Sequence, residues 1–256
     1  MDYRALVDMA VLAGEIMLVS GAEVYRVEDT VSRILKHSGL EGIEVFALAT
    51  GIFVTLSDPS IGAITVVKRV NKRATNLNRV YCVNDVSRHF CKGELGISEA
   101  EEELKRIAGM IQYSSWLKIA GYIITSAFFT VLFGGRVREF FIAALVGAVL
   151  ALAVIGISKL RLNDFCVNGA ASFIVAVTTL WSGVFLYPGL NTDAVIISAI
   201  MPLVPGVTFT SAIRDTLNGD YSSGVARIGE AVVVALAIAS GVGAGIFAFS
   251  WVGGAL

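Results

Sequence analysis

The residues best equipped for chemistry are concentrated between Ile200 and Glu230, in I-M-P-L-V-P-G-V-T-F-T-S-A-I-R-D-T-L-N-G-D-Y-S-S-G-V-A-R-I-G-E. An apolar run is interrupted by Pro202, Pro205 and Gly206, then gives way to Arg214, Asp215, Asp220, Arg227 and Glu230. A proline inside a helix removes a backbone donor and clashes with the preceding turn. In a bilayer, carbonyls freed in this way are tolerated only where protein or a water-filled cavity receives them. Interrupted helices of this kind mark substrate sites in carriers, and they also serve as plain packing kinks. The segment alone leaves both readings open. On the first, the helix start after Pro205-Gly206 offers backbone N–H groups to a substrate carboxylate. Arg214 or Arg227 then attracts the anion at the cytoplasmic mouth, and Asp215 or Asp220 pairs with the arginines.

A second chemistry is hydrolysis by the polar N-terminal part. Ser20, Thr50 or Ser87 would supply the nucleophile, and Asp29, Asp85 or His89 the base. Against it, the sequence has no G-x-S-x-G nucleophile elbow. Cys82, Cys91 and Cys166 fit no zinc spacing, and the two histidines have no partner motif. No metal and no cofactor are expected.

Charge placement supplies the frame for these residues. Of the 256 residues 55% are hydrophobic and 16% charged, against about 25% charged in an ordinary soluble domain. Residues 1–115 hold 13 of the 20 Lys and Arg and 15 of the 21 Asp and Glu. The sequence therefore divides into a polar domain, 1–115, and a membrane domain, 116–256. A net charge of −1 gives no basic face for nucleic acid. The N-terminal residues lack a basic region followed by an apolar stretch, so no cleaved signal is expected.

In the membrane part, charge-free intervals run Ile119–Gly135, Phe140–Ser158, Phe165–Thr192, Ala194–Ile213 and Ala231–Leu256. Each approaches or exceeds the roughly 17–20 residues a helix needs to cross hydrocarbon, which predicts five spans. Asn168, Ser172, Thr178, Thr179 and Ser182 in the third interval, and Thr208, Thr210 and Ser211 in the fourth, either line a polar path or bond back to the preceding turn. No fully buried charged group is evident in the spans. Small residues such as Gly169, Gly241 and Gly245 favour close helix contacts. With the N-terminal domain cytoplasmic, 18 basic residues lie inside and 2, Arg136 and Arg138, lie outside. The positive-inside rule then places the N-terminus in the cytoplasm and the C-terminus outside.

The polar domain reads α-α-β-β-α-α. Helical spacing runs from Tyr3 to Val19, and Ser20-Gly21-Ala22-Glu23 reads as a capping box opening a second helix that stops at Gly39. Ile43–Leu56 and Ile61–Val70 read as a two-stranded hairpin, with Gly51 a bulge or a close backbone approach. Helices follow from Leu77 to Cys91 and after a second capping box, Ser98-Glu99-Ala100-Glu101.

Several motifs, in order along nearly the whole chain, carry a resemblance. They are G-A-E-x-Y-R-V-E-D-T (Gly21–Thr30), A-T-G-I-F-V (Ala49–Val54), K-R-V-x-x-R-x-x-N-L (Lys68–Leu77), V-N-D-V-S-R (Val83–Arg88) and L-V-P-G…I-R-D…G-D-Y-x-S-G-x-A-R (Leu203–Arg227). Together they resemble the threonine/serine exporter family. The resemblance implies a secondary exporter in the cytoplasmic membrane and not an enzyme. Because the sequence stops at Leu256, it resembles the large subunit of the split type, which works with a smaller multi-pass subunit in a homo- or hetero-oligomer. Succinate exporters belong to the same family. The family's cytoplasmic motif falls on Gly21, Glu23, Tyr25, Arg26, Glu28, Asp29, Thr50 and Gly51. Its membrane motif falls on Pro202, Pro205, Gly206, Arg214, Asp215, Gly219, Asp220 and Arg227. With Asn168, Thr179 and Thr208, the membrane residues are the expected substrate pathway.

Overall fold

The computed structural model describes residues 1–71, 73–160 and 162–253. Arg161, counted above for orientation, and Gly254–Leu256 of the expected fifth span lie outside the described residues. The chain forms two units, Met1–Met110 with Val207–Gly229, and Ile111–Gly206 with Glu230–Leu256.

In the first unit, α1 (Tyr3–Val19) is the central element. Its apolar residues surround the helix instead of forming one stripe, so it is buried on most sides. Leu6, Met9, Met17 and Leu18 have at most 1% of their surface exposed. Around it pack α2 (Val24–Lys36), α3 (Leu77–Cys91), α4 (Ile97–Gly109) and a three-stranded sheet. The sheet has the order β1 (Gly42–Leu48), β2 (Gly51–Asp58), β3 (Gly62–Arg69), all antiparallel. Ile52, Val54 and Leu56 of β2 turn inward, as strand alternation requires. On the other face Phe46, Phe53 and Val67 lie in register and exposed. The unit also contains α9 (Gly206–Leu217) from Val207 onward and the start of α10 (Tyr221–Gly253).

Three details differ from the sequence reading. The run Ile43–Leu56 is two strands, because the chain reverses at Ala49-Thr50. Gly51 opens the second of them, where an added Cβ would lie 2.9 Å from the Lys68 carbonyl oxygen. The capping box at Ser20 does not form. Helix α2 starts three residues later, with Glu23 as its N-cap and no side-chain bond from that residue to the helix. The second box is also displaced: Gly96 is the N-cap of α4, and Glu99 Oε2 accepts its N–H at 2.8 Å.

The second unit comprises α5 (Ser115–Leu132), α6 (Val137–Ser158), α7 (Asp164–Phe185), α8 (Thr192–Ile200) and the remainder of α10. Four helices, α5, α6, α7 and α10, are long and apolar enough to cross a membrane. A fifth crossing exists if Thr192–Leu203 and Gly206–Leu217, bent by 58° at their break, form one span. A core of Val146, Leu150, Val175, Val195 and Ile238 holds the unit together. Helices α7 and α10 meet backbone to backbone, for a Cβ on Gly241 would lie 2.1 Å from the Gly169 carbonyl oxygen. At the start of α6, Glu139 is 5% exposed and accepts the N–H of Arg136 at 3.0 Å. Asn191 donates to the same carboxylate at 3.4 Å. This buried carboxylate, just before the charge-free interval Phe140–Ser158, is satisfied by main-chain donors from two loops.

Candidate functional site

Helix α1 ends at Val19, and the chain turns through Gly21, whose φ is +83°. That turn brings the carbonyl groups of Gly21 and Ala22 toward Arg227 on α10. The guanidinium donates to Ala22 O at 2.6 Å and to Gly21 O at 3.5 Å. Its Nε lies 3.0 Å from Asp215 Oδ2. Asp215, at the end of α9, has no exposed surface, and Arg227 is 4% exposed. The other carboxylate oxygen of Asp215 accepts the N–H of Val24, the first residue of α2, at 3.2 Å. An anion at this place satisfies an orphan donor and meets the positive end of the helix dipole. Asp215 therefore does for α2 what a local N-cap side chain normally does.

Glu23 widens the network. It is 7% exposed, pairs with Arg214 on α9, and receives Arg26 Nη1 at 3.4 Å. On α10, Ser223 Oγ accepts the N–H of Ala49 at 3.2 Å, which fixes the β1–β2 turn. Glu28 Oε1 accepts the N–H of Ala47 at 2.8 Å. Burial raises the Glu28 carboxyl above its ordinary range and the negative charge of Asp220 adds to this, while the Ala47 bond opposes it.

The predicted site residues thus fall into several groups. Gly21, Glu23, Arg26 and Glu28 of the cytoplasmic motif gather with Arg214, Asp215, Asp220 and Arg227 in the first unit. Tyr25 and Asp29 lie on another face of α2, where they line a cleft with α3. Thr50 is exposed in the β1–β2 turn, its carbonyl receiving Val70 N–H at 2.9 Å, and Gly51 follows it in β2. Pro202 sits in a 3-10 turn, Met201–Leu203, and Gly206 N–H donates to Val204 O at 2.8 Å, so that donor is already engaged. Thr208 lies in the first turns of α9, half-buried.

The last group is on α7. Asn168, Ser172 and Thr179, at positions i, i+4 and i+11, share one stripe of the helix. Ser172 and Thr179 are fully buried, and their hydroxyl oxygens have no hydrogen-bond partner among the described residues. Neighbouring hydroxyls behave otherwise: Thr178 and Ser182 donate to the carbonyls of Ile174 and Thr178.

The residues considered for hydrolysis do not assemble. Ser87 is buried on α3, while His89, two residues on, faces Asp85 and Glu94 instead. Ser223, Ala22 and Ala49 fall inside the quoted motifs but are not among the predicted site residues; their parts here are a hydroxyl acceptor and main-chain groups, which residue type does not signal. No group of three or more metal-ligating side chains occurs among the described residues.

Residues 8–248 match the model of the ThrE threonine/serine exporter family. A Mycobacterium tuberculosis protein named "Probable threonine/serine exporter" is 23% identical over 244 residues, 93% of this chain and 45% of the relative, so the chain spans less than half of it. The proteins named "Probable succinate transporter subunit YjjP" from Klebsiella aerogenes and Escherichia coli are each 23% identical over 250 residues, covering 94% of this chain and 93% of the relative. No solved structure matches the chain.

Proposed function

The chain belongs to the threonine/serine exporter family, and from that premise we propose that it is a subunit of a secondary transporter exporting small carboxylate-bearing metabolites across the cytoplasmic membrane. The cargo is an amino acid of the threonine/serine type or a dicarboxylate such as succinate, the two chemistries named in its relatives. The N-terminus is cytoplasmic and the C-terminus outside, following the excess of Lys and Arg in the N-terminal part. A smaller multi-pass subunit completes the path, in keeping with the word "subunit" in two relatives' names.

The observation that carries this reading is the α7 stripe. An unbonded hydroxyl costs roughly 1–3 kcal/mol to bury, and α7 carries two, about two turns of helix apart along one face with Asn168. Such groups are retained where water or a polar ligand meets them. A second feature is consistent with this: the helix interruption at Pro202–Gly206 supplies irregular backbone of the kind that membrane proteins keep beside cavities.

Cells expressing the chain with its partner are preloaded with threonine, serine or succinate, and efflux is followed. Replacing Ser172 and Thr179 together by Ala and Val should reduce efflux of the transported compound while surface expression holds. Replacing Pro205 and Gly206 by Ala is the second arm. Unchanged efflux in both variants at normal expression removes the proposed path.

A further inference from the structure

Two motifs quoted from the sequence, Gly21–Thr30 and Val83–Arg88, face each other across α2 and α3 and line a cleft that the export reading does not use. Tyr25, Arg26, Asp29, Thr30 and Arg33 contribute from α2, and Asn84, Ser87 and Arg88 from α3, around about 440 Å³. A smaller hollow of about 230 Å³ adjoins it and shares Arg26, Asn84 and Arg88. These three residues therefore stand between the two spaces.

The floor and the rim differ in chemistry. Thr30 and Ser87 are each 4% exposed, and Thr30 Oγ1 lies 3.2 Å from Asn84 Oδ1. The floor is thus hydroxyl and amide. Three guanidinium groups stand above it. Arg33 is neutralised by Asp29 at 2.6 Å, and Arg26 is held by Glu23 at 3.4 Å. Arg88 is exposed, with no carboxylate within ion-pair distance among the described residues; Asp85, one turn before it, faces His89. The larger space is lined by three positive charges and one negative. Tyr25 lines this space and Tyr81 the smaller one, and both are exposed.

A concave site with an excess of planar, five-donor cations over a neutral polar floor suits a small oxyanion, which guanidinium groups bind with two parallel hydrogen bonds. The geometry points to a binding site for a small multivalent oxyanion, a dicarboxylate or a phosphate, held by Arg88 with Arg26 over Thr30, Asn84 and Ser87. The site lies wholly in the first unit and does not depend on whether the chain exports anything.

The test is isothermal titration calorimetry of the full chain in detergent at fixed ionic strength, with succinate and with inorganic phosphate as separate probes. Saturable binding of either one is expected, and the preferred probe tells carboxylate from phosphate chemistry. Arg88→Gln should weaken it about tenfold or more, the value of one charge-assisted hydrogen-bond pair. Lys105→Gln, which removes a positive charge from α4, should leave it within twofold. Because Arg88 is exposed, its replacement should not change the melting temperature, so lost binding reports on the site. Absence of saturable heat with both probes, or equal affinity in wild type and Arg88→Gln, overturns the inference. Efflux measured in parallel separates this outcome from failure of the export reading.

Discussion

Asp215 accepts the main-chain N–H of Val24 at 3.2 Å, so the start of α2 is capped by a carboxylate 191 positions away in sequence. The same carboxylate holds Arg227, which in turn binds the carbonyl groups of Gly21 and Ala22. Both partners are buried. A buried pair gains little over an apolar replacement, but losing one partner strands a charge. Asp215→Ala should therefore lower stability by about 3–5 kcal/mol, read as a lower melting temperature of the purified protein. The double replacement Asp215→Leu with Arg227→Met should recover much of the loss. A single variant as stable as wild type would show that the pair contributes nothing.

The two arginines of the polar segment should behave differently. Arg214 pairs with Glu23 but keeps 57% of its side chain exposed, whereas Arg227 keeps 4%. Exposed pairs contribute about 0–1 kcal/mol, so Arg214→Ala should be nearly silent in thermal unfolding. Arg227→Ala, which leaves Asp215 buried and charged, should cost about 3–5 kcal/mol. Comparable losses in the two would contradict the assignment of Arg227 as the buried partner.

Much of this architecture was legible beforehand. Helices α1 and α3 follow from apolar spacing and clear stops, and four membrane-length helices from intervals free of charge, while the fourth of the five expected spans is a bent pair of helices. The start of α2 was not legible. Ser20 and Glu23 have the residue types of a local cap, but the helix starts at Val24, whose N–H is taken by Asp215, and no local pattern signals a partner so distant. The β1–β2 reversal hid for a related reason. It turns at Ala49-Thr50, which lack the usual Gly, Pro, Asn or Asp, and a serine from α10 holds it. At the candidate site the residue types were visible, but their pairing depends on packing.

Glu28 gives a pH signature. Its carboxyl is raised above the ordinary value, mainly by burial. The unfolded chain then loses this proton at lower pH than the folded protein does. Between the two values the folded state binds more protons, so stability falls as pH rises through that window and levels off above it. Glu28→Gln should flatten this part of the stability–pH curve, because an amide keeps an acceptor for Ala47 N–H and does not ionise. Chemical denaturation of both proteins across the carboxylate range checks it. A curve in Glu28→Gln that falls as steeply as in wild type would assign the dependence to another group.

Gly241 offers the sharpest packing test, since the fold contains its own control. A methyl group there would lie 2.1 Å from the Gly169 carbonyl oxygen, closer than any atoms tolerate, and backbone on both sides cannot swing away. Gly243, two residues on, would place a methyl group with nothing within 4 Å. Both substitutions add one carbon and improve helix propensity by the same amount. Gly241→Ala must therefore push α7 and α10 apart, at a cost of about 1–3 kcal/mol for overpacking. Gly243→Ala should be neutral or slightly stabilising. Melting temperatures of the two variants in the same detergent decide the matter, and a neutral Gly241→Ala would mean that the helices do not touch at this point.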